Sequence, residues 1–164
     1  MMTLLRSLFR RPEPAILDAR ASDAAALARV HANAFRHSWS ESDFERLLAD
    51  KGVVCHIARA EGGTGALIAF AITRIVEDEA EILMVAVDPA EQGRGLATRL
   101  ISRHLGRLAA RGAHKVFLEV EEGNLPAIRA YARAGFEQVG RRAGYYAEAG
   151  RQAAAALVLR RSLD

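Results

Sequence analysis

Two side chains in the second half of the sequence could move protons: a glutamate inside an apolar run and a tyrosine twelve residues later. Glu119 stands in Lys115–Val120, which predicts a strand, where a carboxylate is costly unless it is paired or faces a cleft. Tyr131 stands on the inner side of a predicted helix from Leu125 to Ala134. Together they fit a general base and a general acid. A paired structural glutamate and a core-packing tyrosine are the alternatives.

A glycine-rich junction between a strand and a helix could bind phosphate. Ile82–Val87 is an apolar run that predicts a strand buried on both faces, and Asp88-Pro89 ends it. From Leu96 to about Arg111, apolar residues recur at helical spacing. The loop between them contains Gln92-Gly93-Arg94-Gly95, and glycines before a helix let a phosphate approach the unpaired N–H groups of its first turn. A purely structural tight turn is the alternative.

The spacing within this loop narrows the phosphate-binding interpretation. No Gly-Lys-Ser/Thr follows, so the loop is not a Walker loop, and it lacks the full Gly-x-Gly-x-x-Gly of a dinucleotide site. Gln92, Gly95 and Ala97 match the pattern Gln/Arg-x-x-Gly-x-Gly/Ala, after a strand that ends in Val-Ala-Val-Asp-Pro. Strand, loop and helix together resemble the acetyl-CoA pyrophosphate loop of the GCN5-related N-acetyltransferases (GNAT).

Length and composition indicate one domain. The chain has 164 residues, and no uninterrupted apolar run approaches the ~20 residues needed to cross a bilayer. We expect a basic N-terminal tail over residues 1–14 and a GNAT domain over residues 15–164. Cys55 is the only cysteine, which predicts a buried small hydrophobe and fits a reducing cytoplasm. The net charge of +3 is spread along the chain without interleaved aromatic residues, which disfavours nucleic-acid binding.

The first third of the chain predicts a strand and two helices. Ala15–Ala19 is a short apolar strand, and Ser22 or Asp23 is a plausible N-cap for the helix that follows. His31 on this helix is expected to be structural or solvated. Ser40 with Asp43 resembles a capping box at the start of a second helix. Trp39, just before it, is either a lid over the core or a wall of a binding site.

The rest of the chain predicts a sheet with two more helices. Two β-rich runs joined by a glycine-rich turn form a hairpin, Val53–Ala60 and Ala66–Val76. The strand Lys115–Val120 follows a helix that Gly112 ends, so it should run parallel to the central strand. Asn124 caps the next helix, and Phe136–Tyr146 pairs with Ala154–Arg161. The prediction is a single α/β domain with a mixed sheet of about seven strands and about four helices.

A closer resemblance extends from about Ala15 to the end. Six motifs resemble those of the RimI-type ribosomal-protein-alanine N-acetyltransferases. They are Trp39-Ser40-Glu41, Leu-Glu-Val, Asn124, Ala-Ile-x-x-Tyr-x-x-x-Gly-Phe, Gly144-Tyr145-Tyr146 and Gly150-Arg151. The resemblance implies that acetyl-CoA is the cosubstrate, without a metal, and that the acceptor is the N-terminus of a ribosomal protein. It implies that Glu119 is the general base and that Tyr131 protonates the departing thiolate.

The same resemblance assigns binding residues. Backbone groups of the strand end would contact the pantetheine arm, and the loop with the first helical turn would hold the pyrophosphate. The acceptor would lie between the loop of Trp39 and the hairpin of Tyr145 and Tyr146. The implied cofactor-binding residues are Val85, Ala86, Val87, Gln92, Gly93, Arg94, Gly95, Leu96, Ala97, Thr98 and Asn124.

The acceptor is the least determined part of this prediction. The family often has Tyr-Tyr-Pro and Gly-Arg-Glu-Asp-Ala where this chain has Tyr145-Tyr146-Ala147 and Gly150-Arg151-Gln152-Ala153-Ala154. A small-molecule amine or a protein lysine is therefore an alternative acceptor, and a non-catalytic acyl-CoA- or partner-binding module is an alternative of another class. His104 and His114 are expected to be solvated, so neither supplies an extra base. We expect a cytoplasmic monomer or weak dimer that binds no membrane.

Overall fold

The structure is a computed structural model that describes residues 11–146 and 154–164. Its four α-helices are α1 (Ala24–Ala34), α2 (Glu41–Ala49), α3 (Leu96–Ala110) and α4 (Leu125–Arg133). Its seven strands are β1 (Ala15–Asp18), β2 (Val53–Arg59), β3 (Leu67–Val76), β4 (Glu79–Val87), β5 (Lys115–Glu121), β6 (Glu137–Tyr146) and β7 (Ala154–Ser162). This order confirms the predicted succession of strands and helices. The predicted tail falls largely in residues 1–10, outside the described residues.

The seven strands form one mixed sheet with the order β1-β2-β3-β4-β5-β7-β6. Strands β4 and β5 are parallel, and every other neighbouring pair is antiparallel. The parallel pair is the one joined through α3, as the sequence predicts, because parallel strands need a long crossover. The last strand, β7, lies between β5 and β6.

The parallel pair separates soon after it begins. Register pairs join Glu79–Glu81 to Lys115–Phe117, and beyond them the described residues show no ladder between the two strands. On its other side β4 has a bulge, because Ile72 pairs with Met84 and Thr73 with Ile82, which leaves Leu83 as the extra residue. The sheet is therefore open between the second halves of β4 and β5.

This opening corrects one prediction from the sequence. We expected the run from Ile82 to Val87 to be buried on both faces, but Leu83, Met84, Val85 and Val87 are only half-buried. The apolar run is typical of a strand with neighbours on both sides. Here the second half of β4 pairs with β3 and has no ladder with β5, so one edge of it is uncovered.

Alternation along β2 shows that helices cover both faces of the sheet. Cys55 and Ile57 pack against a cluster that contains Leu27 of α1 and Phe44 of α2. Ala58, on the opposite face, packs with Leu100 of α3. A third cluster contains the remaining inner residues of α3 and the inner residues of α4. They pack against Phe136, just before β6, and against these residues of the sheet: Ala80, Ile82, Val116, Leu118, Val120 and Leu159.

The helix starts agree with the sequence except at α1. Ser40 and Asp43 form the predicted capping box of α2, and Asn124 caps α4. Asp23 occupies the N-cap position of α1 but forms no cap bond. Its carboxylate instead accepts from the N–H of Arg20 at 2.7 Å and from Arg59 at 2.5 Å. The acid at this position therefore fixes β2 and the preceding turn.

A buried polar chain connects the sheet to α3. The Thr73 hydroxyl lies 2.6 Å from Nε2 of His104, and Nδ1 of His104 lies 2.7 Å from Nδ1 of His56. Nε2 of His56 lies 3.2 Å from a carboxylate oxygen of Asp18. With both rings neutral, each donor meets an acceptor in turn, from the threonine hydroxyl to the aspartate. The prediction that His104 is solvated is wrong.

His104 is buried because it lies on the apolar side of α3. It stands four residues from both Leu100 and Leu108, which pack in the core. Burial, and to a lesser extent the neighbouring His56, lowers the pKa of His104 to about 3. His114 is exposed and contacts Asp164 at 2.8 Å. The solvated interpretation therefore holds for His114 only.

The buried histidine makes folding stability sensitive to acid. Unfolding exposes His104, whose pKa then returns from about 3 to 6.5, so the unfolded chain takes up a proton that the folded chain does not. Stability is complete above about pH 6.5 and is lost as the pH falls toward about 3. Lowering the pH from about 7.5 to about 5 should cost about 2 kcal/mol at this site, measured by urea unfolding. A His104→Gln variant should show a shallower pH slope, whereas His114→Gln should keep the wild-type slope. Equal slopes for all three proteins would contradict this.

Candidate active site

A groove lies on the sheet over the paired first halves of β4 and β5, next to the point where the two strands separate. It has a volume of about 300 Å³ and lies beside Glu81 and Phe117, the last paired residues of the two strands. Three glutamates share it with apolar side chains, so it offers both charge and hydrophobic contact. Its lining residues are Arg74, Val76, Glu79, Ala80, Glu81, Phe117, Leu118, Glu119 and Val158.

Glu119 lies in this groove. Its neighbours along β5, Leu118 and Val120, point into the core beneath α3 and α4, so the alternation of the strand turns Glu119 to the other face. Its side chain is 22% exposed, and Oε1 lies 3.0 Å from Nη2 of Arg142 on β6. The structure therefore combines the two sequence interpretations, because the glutamate is ion-paired and also faces a cleft. The sequence did not identify its partner.

Tyr131 lies on the opposite side of β5. It is on the inner side of α4, in the cluster that contains Leu118 and Val120, and its ring meets Phe136 edge to face at 5.6 Å. Burial raises the pKa of Tyr131 to about 12, so the phenol keeps its proton at neutral pH. A protonated phenol is what a general acid requires. The two candidate catalytic side chains are thus on different faces of β5, next to the part of that strand that has no ladder with β4.

The predicted phosphate loop is open to solvent. Gly93 and Gly95 have φ of 77° and 76°, a conformation that favours glycine, and a Cβ built on either meets no atom within 4 Å. Gly95 caps α3, and its carbonyl accepts from the Arg99 N–H at 3.2 Å. The N–H groups of the intervening first turn have no acceptor inside the helix. The strand-loop-helix junction therefore presents unpaired donors to an anion.

Side chains around the loop hold its shape. Asp88 accepts from the N–H of Ala90 at 3.1 Å and from the side chain of Asn33 at 3.1 Å. Gln92 donates to the carbonyl of Val87 at 3.1 Å, and Arg94 donates to Glu91 at 3.1 Å. The glutamine of the motif thus ties the loop to the end of β4. The sequence assigned Gln92 to the cofactor, and that assignment stays a prediction beside this contact.

The remaining predicted cofactor residues lie on either side of the opening. Val85 and Val87 pack toward α3 and Ala86 toward α1, so these three residues offer main-chain groups rather than side chains. Leu96 is buried, and Ala97 and Thr98 are half-buried in the first turn of α3. Asn124 is exposed, and its side-chain oxygen accepts from the Ala127 N–H at 3.3 Å. That bond leaves the side-chain nitrogen of Asn124 to meet a ligand.

Of the three predicted acceptor residues, Trp39 packs against the core, and the side chains of Tyr145 and Tyr146 lie outside the described part of the chain. Trp39 stacks on His31 with ring centroids 5.3 Å apart, and the main-chain N–H of Trp39 donates to Nδ1 of His31 at 3.1 Å. Trp39 is half-buried against the cluster under α1 and α2, and its assignment to the acceptor site stays a prediction. His31 is buried and structural. Tyr145 and Tyr146 end β6, and their side chains lie outside the part of the chain that the structure describes.

Comparison with known proteins identifies the family. A model described as the acetyltransferase (GNAT) family matches residues 24–136. The chain belongs to the GNAT family of acetyltransferases. It is therefore an acyltransferase that uses acetyl-CoA as the acetyl donor, as its loop predicts.

Individual relatives confirm the fold and the resemblance to RimI-type enzymes. The [ribosomal protein bS18]-alanine N-acetyltransferase of Escherichia coli strain K12 is 32% identical over 125 residues, which cover 76% of this chain and 82% of that protein. The crystal structure of the E. coli ribosomal-protein-S18-alanine N-acetyltransferase has a TM-score of 0.83 at 28% identity, covering 92% of this chain and 94% of that chain. Arabidopsis thaliana NAA60 in complex with acetyl-CoA has a TM-score of 0.79 at 22% identity, covering 92% and 98%, and shares the fold.

Two further findings concern membrane-spanning helices and metal-binding groups among the described residues. None of the helices within residues 11–146 and 154–164 is long and apolar enough to cross a membrane. In the same part of the chain, no group of three or more His, Cys, Asp or Glu side chains is arranged to hold a metal ion.

Proposed function

We propose that this enzyme transfers the acetyl group of acetyl-CoA to the N-terminal α-amine of a ribosomal protein in the cytoplasm, with alanine preferred as the first residue. The observation that carries the proposal is the groove next to the opening between β4 and β5, which holds Glu119 and lies across β5 from the buried phenol of Tyr131. The 32% identity to a ribosomal-protein-alanine N-acetyltransferase over 76% of the chain supports the acceptor.

The cofactor would enter from the loop side of the opening. The pyrophosphate would lie on Gly93–Thr98, where the first turn of α3 offers unpaired N–H groups. The pantetheine arm would follow the uncovered edge of β4 at Val85–Val87, with Asn124 on the opposite side. This places the thioester where β4 and β5 separate, between Glu119 on one face and Tyr131 on the other.

Gly95→Glu tests this placement of the cofactor. The substitution puts a bulky anion at the helix start where the pyrophosphate would lie, so acetyl-CoA affinity should fall at least about tenfold by calorimetric titration. Gly112→Glu is a matched control, because Gly112 also has a positive φ, of 88°, with open space around its Cβ, and lies just beyond the other end of α3. Equal acetyl-CoA affinity in the two variants would contradict the placement.

The chemistry is a direct transfer. The nitrogen of the free amine attacks the thioester carbonyl carbon, the C–N bond forms, and the C–S bond breaks. Glu119 takes the proton that the amine loses, directly or through a water. The hydroxyl of Tyr131 gives its proton to the departing thiolate, and its high pKa ensures that the proton is present. The products are the acetylated amine and free coenzyme A.

The arithmetic of deprotonation favours an α-amine as the acceptor. An α-amino group with a pKa near ~7.8 is free base in about one molecule in seven at pH 7, whereas a lysine near ~10.4 is free in about one in 2,500. That difference is worth about 3.5 kcal/mol. A carboxylate base such as Glu119 suits the easier amine. His104 is buried in the polar chain that ends at Thr73 and supplies no second base in the groove.

A panel of short peptides that differ only in the first residue tests the acceptor. Peptides beginning with alanine, glycine or serine should have higher kcat/KM than those beginning with leucine, methionine or phenylalanine, with alanine highest, because the acceptor site is expected to be narrow. Reactions without enzyme give the background. The same rate for every first residue would contradict the alanine preference. Activity confined to small free amines would instead support the small-molecule alternative.

A further inference from the structure

We propose that Arg142 is a positioning residue that holds the carboxylate of Glu119 in its reactive orientation. The proposal deepens the proposed function, since it rests on Glu119 acting as the base. Nη2 of Arg142 lies 3.0 Å from Oε1 of Glu119. With Oε1 engaged by the guanidinium, Oε2 is the oxygen that takes the proton from the acceptor amine or from a bridging water.

The topology of the sheet shows why this contact needs a long side chain. Arg142 is on β6 and Glu119 on β5, and β7 lies between them. Neighbouring strands are about 4.8 Å apart, so the contact spans about 10 Å, which only a long side chain can reach. The β7 residue opposite Arg142 is Ala156, whose small side chain lets the guanidinium pass over the strand. The three strands place this pair at the groove although 23 positions separate the residues in the sequence.

The exposure of the pair argues against a purely structural role. The side chains of Arg142 and Glu119 are 59% and 22% exposed. Ion pairs in this exposure range contribute little to folding, typically ~0–1 kcal/mol. Loss of the pair should therefore leave the protein folded. Its effect should fall on catalysis, where a misplaced reacting group can lower the rate by up to about 100-fold.

Removal of the guanidinium is expected to slow the reaction, because the carboxylate then loses the contact that orients it. An increase in rate after its removal would mean that Arg142 restrains the base rather than positions it.

The adjacent arginine supplies a matched control. Arg141 precedes Arg142 on β6 and points to the opposite face, where it forms two hydrogen bonds to the carboxylate of Glu122 at 2.6 and 3.2 Å. Its ion pair is comparably exposed, and it is outside the groove. Arg141→Gln removes an arginine, one positive charge and one ion pair from the same strand, without altering the surroundings of Glu119.

The test is a double-mutant cycle measured with acetyl-CoA and an alanine-initiated peptide. Arg142→Gln should lower kcat at least about tenfold with little change in acetyl-CoA affinity or melting temperature, and Arg141→Gln should leave all three near wild type. Arg142→Lys keeps the positive charge and is long enough to reach Glu119, so its kcat should lie between those of Arg142→Gln and the wild type. If Arg142→Gln does not fold, Arg142→Lys is used in its place. In the Glu119→Gln background, Arg142→Gln should have almost no further effect, because both residues act through the same carboxylate.

Each outcome bears on a specific claim. Wild-type kcat in Arg142→Gln, or the same loss in Arg142→Gln and Arg141→Gln, overturns the positioning role. An undiminished effect of Arg142→Gln in the Glu119→Gln background also overturns it, because Arg142 then acts independently of the carboxylate. Full activity of Glu119→Gln alone refutes the base assignment in the proposed function, which is a separate failure.

Discussion

Tyr131→Phe is expected to lower kcat by roughly 100- to 10,000-fold, because it removes the one proton that the phenol supplies to the departing thiolate. The phenyl ring keeps the packing of Tyr131 against Phe136 and the apolar cluster of α4, so the variant should fold normally. Acetyl-CoA affinity should be unchanged. Since burial raises the pKa of Tyr131 to about 12, the wild-type rate should not fall from loss of this proton at any pH below about 10.

Three separate measurements distinguish an effect on turnover from effects on binding and folding. The release of free coenzyme A is followed with a thiol reagent, and acetyl-CoA binding is measured separately by calorimetry. The folded state is confirmed by circular dichroism. A Tyr131→Phe enzyme with near-wild-type kcat would show that the thiolate leaves without this acid, and Tyr131 would then be a core residue only.

Glu119→Gln is expected to reduce kcat/KM for the peptide by roughly 100-fold or more at neutral pH. Glutamine is nearly the same size and still reaches Arg142, but its amide cannot accept the proton of the attacking amine. Raising the pH should recover part of the activity, because a larger share of the acceptor amine is then already free base. The recovery should follow the pKa of the peptide amine.

Glu121→Gln is the matched control for this substitution. Glu121 lies two residues further along β5, on the same face, and is exposed at the end of the strand beyond the groove. It should keep wild-type kinetics. If Glu119→Gln and Glu121→Gln have the same small effect, the carboxylate in the groove is not the base, and the acceptor amine loses its proton to solvent.

Much of the fold follows from local sequence. The alternation of apolar residues located the strands, and the change of period after Gly95 located α3. The capping box at Ser40 and the cap at Asn124 were predicted because a cap depends on residues three positions apart. These features need only neighbours along the chain, which the sequence displays directly.

The features that the sequence did not show depend on residues far apart along the chain. β4 separates from β5 after three residue pairs, and on its other side β4 has a bulge at Leu83 against β3. An apolar run looks the same whether or not its neighbour continues beside it, so the half-exposed second half of β4 was missed. The opening that forms the candidate site is therefore a property of tertiary pairing.

Individual polar contacts show the same limit. His104 was predicted to be solvated, although its spacing from Leu100 and Leu108 places it on the buried side of α3. Arg142 gave no signal at all, because its contact with Glu119 exists only once β7 has been inserted between β5 and β6. The sequence predicted the candidate reacting groups and missed Arg142, the residue that we propose orients Glu119.

The position of the acetyl group on a single peptide tests the central claim most directly. A peptide that begins with alanine and contains one internal lysine is incubated with the enzyme and acetyl-CoA, and tandem mass spectrometry locates the added acetyl group. The account predicts acetylation of the α-amine with little on the lysine, and almost no transfer to the same peptide when its α-amine is blocked. An acetyl group found chiefly on the lysine, or comparable transfer to the blocked peptide, would contradict the account.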